Sequence, residues 1–167
     1  MDANELRALQ SPLKSHYREE PAAALITLRA RGSLGADAVA CKVETGRALV
    51  TAGLHPATGG DGSLACSGDM LLEALVACAG VTLRAVATSL SIPIRGGTVS
   101  AEGDLDFRGT LGVSKEAPVG FREIRLKFEL DAGAPPEQID KLLELTERYC
   151  VVYQTLRSSP ALRIVRS

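Results

Sequence analysis

The sequence predicts an α+β fold, and three observations predict it. A long apolar run of helical length, LLEALVACAGVTL, extends from Leu71 to Leu83. Segments on either side of it alternate apolar and polar residues at a period of two, and a proline pair, Pro135 and Pro136, opens a helical pattern nearer the C-terminus. At 167 residues the chain is long enough for one hydrophobic core and short for two ordinary domains. Residues 1–20 read as a helical extension and residues 21–167 as a single domain.

The elements follow in order. Residues 3–18 (ANELRALQSPLKSHYR) suggest a short amphipathic helix through Leu6, Leu9 and Leu13, closed by Pro21. Residues 23–53 alternate well enough for two or three short antiparallel strands, with turn signals at Gly32, Gly35 and around Gly46. LHPATGGDGSLACSGD (54–69) is longer than a plain connector needs, and such loops often border a site. Ser67 or Gly68 can cap a helix from about Asp69 to Ser89, with Asp69 complementing the free N–H groups of its first turn. Only Asp69, Glu73 and Arg84 are charged there, so the helix is expected to be the central element, buried on several sides. Pro93 and Gly96–Gly97 end it. TVSAEGDLDFRG (98–109) and VGFREIRLKFELD (119–131) read as long strands. The prolines then open a helix to about Tyr149 whose Ile139, Leu142 and Leu143 face the core, CVVYQTL (150–156) follows as a second short helix, and ALRIVRS ends the chain as a strand. A central helix with so little polar surface needs more apolar cover than one small sheet provides, and a symmetric dimer could supply it.

Composition narrows the function. Hydrophobic residues at 46%, charged residues at 23% and a net charge of -1 are ordinary for a globular protein and leave no electrostatic footprint for nucleic acid or an anionic membrane. The polar start, MDANELRALQ, lacks the pattern of a secretory signal, and the longest apolar run, about fourteen residues, falls short of the roughly twenty that span a bilayer. A cytoplasmic protein is expected. Four cysteines stand at 41, 66, 78 and 150, with no CxxC pair and no clustered Cys/His ligands, which disfavours zinc. In a reducing compartment a cysteine pair that does bond is more often transient and redox-active than structural.

Two of these thiols carry the chemical argument. Cys78 taken alone, in an apolar helix, reads as packing rather than chemistry, because burial raises a thiol's pKa and leaves it inert. Cys150 stands where one helix ends and another begins, two residues after Arg148, and a thiol at a helix N-terminus is stabilised as thiolate. Packing is the plain role for Cys41 on a strand and for Cys66 in the glycine-rich loop. His55 could be a ligand or proton shuttle, but one histidine without clustered partners reads as a loop residue. TGGDGS lacks the GK[ST] ending of a phosphate loop.

GDMLLEALVACAGVTL, the EGDLDFRG strand and ERYCVVYQTL about seventy residues after the first cysteine together resemble the OsmC/Ohr family of thiol-dependent peroxidases. That family's wording is close to PEELLLAALAAC, a GELD-like strand and CPVxxTL, and the likeness covers about residues 23–167. The resemblance implies an OsmC-like fold, with antiparallel sheets wrapped around a long buried central helix in an intertwined homodimer. It also implies reduction of organic hydroperoxides and hydrogen peroxide at a cysteine in oxidative-stress defence. By the same resemblance Cys78 matches the peroxidatic cysteine and Cys150 the resolving one. An external dithiol, such as one on a lipoylated protein, would restore both, with no cofactor. The family's cation is an arginine from the early strands, held by a carboxylate at the start of the central helix. Arg31, in the ARG turn, is the first choice, followed by Arg29 and Arg47. Asp69 stands where the family has glutamate, with Glu73 as the alternative, and Val151 stands where the family often has proline. Asp69 precedes Cys78 by nine residues, roughly 13 Å along one helix, so contact between the two would have to cross a dimer interface. The rival expectations are a dimer that binds a small hydrophobic ligand at its interface, and a structural dimer with an unreactive Cys78.

Overall fold

A computed structural model describes residues 49–112 and 114–166, the strand segments 31–34 and 40–44, and residues 2–5, 8, 11 and 19. The helix expected over 3–18 lies mostly outside the described residues. The chain divides into two compact units interleaved along the sequence. One comprises Met1–Glu19, Ala74–Ser100 and Lys127–Ser167, and the other Glu20–Glu73 and Ala101–Leu126.

In the second of these units, β1 (Arg31–Leu34), β2 (Ala40–Glu44) and β3 (Leu49–Gly53) form the antiparallel meander that the alternation predicts, with Ser33 opposite Lys42 and Lys42 opposite Thr51. Gly32 is not a turn: it lies inside β1 opposite Val43. A two-residue strand, β4 (Ala65–Cys66), adds parallel to β3 at the sheet's edge. Between them a 3-10 turn, Pro56–Thr58, is capped by His55, whose Nδ1 accepts the Ala57 N–H at 3.0 Å, and closed by Gly59 at φ 97°.

The strand expected over 98–109 ends earlier. β5 spans Ile94–Asp104, and Phe107–Thr110 form a short helix, α2. A Cβ at Gly109 would stand 2.4 Å from the Pro118 carbonyl oxygen, so the chain folds back on 117–118 there instead of continuing extended. β6 (Glu123–Ala132) pairs with β5. Across that pair Arg125 reaches Asp104 and, at 3.6 Å, Glu102, and on its own strand Glu123 at 3.3 Å, while Arg95 pairs with Asp131.

The long helix, α1, runs Ser67–Ser89, two residues earlier than its acidic first turn suggests. At 23 residues it is long and apolar enough to cross a membrane by length and composition, a test that the core helix of a soluble protein also passes. The run of fourteen underestimates it because Ser67 to Met70 and Arg84 to Ser89 continue the same helix. In the single chain it is fully buried along one stripe only, Leu75, Ala79, Leu83 and Ala87, which is the four-residue spacing of one helical face. Leu71 (38% exposed) and Val81 (72% exposed) open onto the surface, so the burial on several sides that its composition suggests is not reached within one chain. After α1, the Ile92 N–H returns to the Ala87 carbonyl at 2.9 Å, with Ser91 in the left-handed region at φ 56°.

α3 (Pro136–Tyr149) and α4 (Val151–Arg157) follow at the expected places. Leu142, fully buried, packs with Leu83, Ala87 and Ile92, and Phe128, Leu130, Ile139 and Leu143 close around them. The last segment forms no strand among the described residues. Leu162, Ile164 and Val165 are exposed.

Candidate functional site

The site is built on three elements of one unit: the middle of α1, the end of α3 and the start of α4. At about 100° per residue, Cys78 falls on α1 between the buried stripe and the exposed apolar face, which leaves its sulfur half-buried. α3 ends at Tyr149 and α4 starts at Val151, so Cys150 alone forms the corner. It is the C-cap of one helix, its N–H donating to the Thr146 carbonyl at 2.9 Å, and the N-cap of the next, its carbonyl accepting the Gln154 N–H at 2.9 Å. Its side chain caps neither helix and is buried, at 1% exposure.

Three contacts brace the corner. The Gln154 side-chain amide donates to the Glu147 carbonyl at 2.8 Å, the Arg157 guanidinium pairs with the Glu147 carboxylate, and the buried Thr146 hydroxyl donates to the Leu142 carbonyl at 2.7 Å. A braced corner fixes where the free N–H groups of the α4 first turn point. Those of Val151 and Val152 act on the Cys78 thiol.

Burial by itself would push the Cys78 thiol up. Against it act, in falling order, the neighbouring Val152 N–H, Cys150 thiol, Thr82 hydroxyl and Val151 N–H, and they carry its pKa below that of an ordinary thiol. Cys150 moves the other way. Burial holds its thiol up, and donating its proton to Cys78 beside that sulfur's charge adds to the effect, outweighing the N–H groups of Tyr153 and Val152. The α4 N-terminus thus acts on both sulfurs: the Val152 and Val151 N–H groups favour the Cys78 thiolate, and the Tyr153 and Val152 N–H groups act the same way on Cys150 without overcoming its burial. The two thiols are thus displaced in opposite directions, Cys78 down and Cys150 up.

Sequence reasoning missed the supporting donors. Thr82 lies four residues after Cys78, one turn on along the same face, and that spacing was a readable signal. The N–H groups of Val151 and Val152 carry no side-chain mark.

The other candidates are placed as follows. Arg31 opens β1 opposite Glu44, on a strand and not in a turn, and its side chain lies outside the described residues, as do Arg29 and Arg47. Asp69 is in the first turn of α1 and exposed, and Glu73, one turn on, is exposed as well. Cys41 lies on β2 opposite Ala52, with its side chain outside the described residues. Cys66 ends β4, half-buried. His55 is a capping residue, stacked on Phe107 with ring centroids 4.9 Å apart. Among the described residues no three His, Cys, Asp or Glu side chains are grouped to hold a metal ion.

The comparisons with known proteins bear on this arrangement. A family model described as OsmC-like protein matches residues 60–165. Among solved structures, the chain is similar to an OsmC-like protein from Mycoplasma pneumoniae, at 18% identity and TM-score 0.67 over 80% of this chain and 89% of that one. It is similar to an organic hydroperoxide resistance protein OsmC from Legionella pneumophila, at 18% identity and TM-score 0.63 over 81% and 92%. An organic hydroperoxide resistance protein from Elizabethkingia anophelis, crystallised with thiocyanate bound, aligns at 19% identity and TM-score 0.58 over 81% and 91%. Among curated protein sequences none matches. At such identities the shared property is the fold, an α+β arrangement of small sheets and helices.

Proposed function

The chain belongs to the OsmC-like protein family, and from that membership and its paired sulfurs we propose that it is a thiol-dependent peroxidase, reducing organic hydroperoxides and hydrogen peroxide in oxidative-stress defence. The observation that carries the reading is the opposite displacement of two neighbouring thiols, Cys78 toward thiolate and Cys150 toward thiol. A peroxide needs a nucleophile that is ionised and a second thiol that keeps its proton until it is called on.

The steps balance as follows. Cys78 thiolate attacks the terminal oxygen of ROOH. An S–O bond forms, the O–O bond breaks, and the alkoxide leaves and takes a proton as alcohol, with Cys78 left as sulfenic acid. Cys150 then attacks that sulfur and water departs, giving a Cys78–Cys150 disulfide. An external dithiol, such as a lipoylated protein in the cytoplasm, is oxidised to its own disulfide as it restores both thiols. Arg31, with Arg29 and Arg47 as alternatives, and Asp69, with Glu73 as the alternative, are proposed to complete the site from a second protomer. That second protomer is itself a proposal. It is supported by the exposed α1 stripe of Leu71, Ala74, Ala77 and Val81, an apolar face that a symmetric partner helix would cover.

The test is direct. Purified protein is mixed with cumene hydroperoxide and dihydrolipoamide, and peroxide loss is followed for wild type, Cys78→Ser and Cys150→Ser. Loss of turnover in Cys78→Ser, with a mass decrease of two hydrogens in wild type mapped to Cys78 and Cys150, is expected. Equal consumption by wild type and Cys78→Ser defeats the assignment.

A further inference from the structure

The unit formed by Glu20–Glu73 and Ala101–Leu126 holds a cavity of about 410 Å³, walled by the 3-10 turn, the start of α1 and the 105–121 segment. That volume lies within the range of small-molecule pockets, about 300–1,000 Å³. Its walls are mainly hydrocarbon: Leu54, Leu71, Leu105, Phe107, Val119 and Phe121. No Asp, Glu, Lys or Arg side chain lines it among the described residues.

Two features show walls built around space. Phe121 sets the Cδ1–Cε1 edge of its ring against bare backbone, since a Cβ at Gly103 would stand 2.5 Å from Cε1, so this wall depends on glycine at 103. At Gly68, in the first turn of α1, a Cβ would meet the Cys66 sulfur and Phe121 Cζ at 3.5 Å and Leu105 Cδ1 at 3.7 Å, all three on cavity-lining residues. Those are ordinary contact distances. Alanine fits there and is the better helix former, yet glycine stands at the position and leaves the room open.

Polar residues are few in the lining: His55, Thr58, Ser67 and Thr110. His55 Nδ1 accepts the Ala57 N–H, so its lone pair is engaged and the imidazole proton sits on Nε2. Stacking on Phe107 fixes the ring plane and leaves Nε2–H as its remaining donor. We propose that this cavity binds a neutral, mostly hydrocarbon molecule carrying one hydrogen-bond acceptor, of the class of aryl-alkyl ketones, with His55 Nε2–H donating to that acceptor. A carboxylate or ammonium group would lose its hydration against walls that offer no countercharge. The proposal does not rest on the peroxidase reading: the cavity is lined by neither Cys78 nor Cys150.

The test uses the full chain labelled with nitrogen-15 and three probes of similar shape: benzylacetone, butylbenzene and hydrocinnamate. Benzylacetone is expected to shift amide signals within 53–71 and 105–121 and to bind most tightly, butylbenzene more weakly, and hydrocinnamate weakest. Gly68→Val should weaken benzylacetone about tenfold or more, because a branched side chain takes up the vacant volume. His55→Ala should erase the ketone's advantage over butylbenzene, and Cys78→Ser should bind like wild type. The proposal is overturned if hydrocinnamate binds as tightly as the ketone, if the shifted amides cluster at 136–157, or if a folded Gly68→Val binds unchanged. Should Gly68→Val fail to fold by circular dichroism, the order of the three probes on wild type and on His55→Ala decides it alone.

Discussion

Val151→Pro isolates the contribution of one backbone donor to the reactivity of Cys78. Val151 is the first residue of α4, where an N–H has no partner inside the helix and proline is well tolerated. Cys150, just before it, already has the extended backbone that a following proline requires, at φ -73° and ψ 108°. The Val151 side chain is 69% exposed, so the ring displaces no core atom. The substitution therefore deletes one N–H directed at the Cys78 sulfur and leaves the helix standing. That donor is the smallest of the four that favour the thiolate. With partial solvent screening it is assigned the low end for a hydrogen bond, about 0.5 kcal/mol, which is about a twofold fall in thiolate fraction below the pKa. The assay is the rate of iodoacetamide labelling at Cys78 across pH, read by peptide mass spectrometry in a Cys150→Ser background, with Val151→Ala as a control that keeps the N–H. The profile should move to higher pH for proline alone. The reasoning fails if alanine and proline behave alike, or if proline leaves the profile where it was.

Three further outcomes are expected. Leu142→Ala, at a fully buried position against Leu83 and Ile92, should cost about 2–5 kcal/mol in urea unfolding; a change within error would mean that the core lies elsewhere. Arg125, by its hydrogen bond first, holds the Asp104 carboxyl below 3.8. The pair's stabilising effect is therefore present above that unfolded value and lost as pH falls through the folded one, so Asp104→Asn should flatten the acid limb of a stability–pH curve and leave its slope at neutral pH alone. Val81→Lys, placing a charge on the exposed α1 stripe, should shift the protein to a monomer in sedimentation with unchanged circular dichroism. A wild type that already sediments as a monomer would remove the proposed interface.

How much of this was legible in the sequence depends on whether the signal was local. The meander, α1 and α3 were, because alternation, an acidic first turn and the Pro135–Pro136 pair act within a few residues. The end of β5 was not. DLDFRG continues the strand pattern on paper, while the contact that ends it, Gly109 against the 117–118 carbonyls, is tertiary. ALRIVRS alternates as a strand does, but alternation cannot say whether an edge is waiting, and Ile164 stands wholly exposed. At the site, Cys78 and Cys150 were legible through motif order. That the α4 terminus acts on both sulfurs and that burial outweighs it only at Cys150 was not, because burial at a corner is tertiary. The exposed face of α1 shows the same limit: composition reports how apolar a helix is, not what covers it.

The 1% exposure of Cys150 has a consequence for recycling. In the proposed cycle a sealed sulfur is no target for an incoming reductant, so exchange must begin at the more accessible Cys78 end and expel Cys150 as the departing thiolate. A departing group with a raised pKa leaves slowly. The corner that shelters the second sulfur thereby sets the regiochemistry of regeneration and slows it, giving the oxidised form a lifetime during which a selective donor can find it.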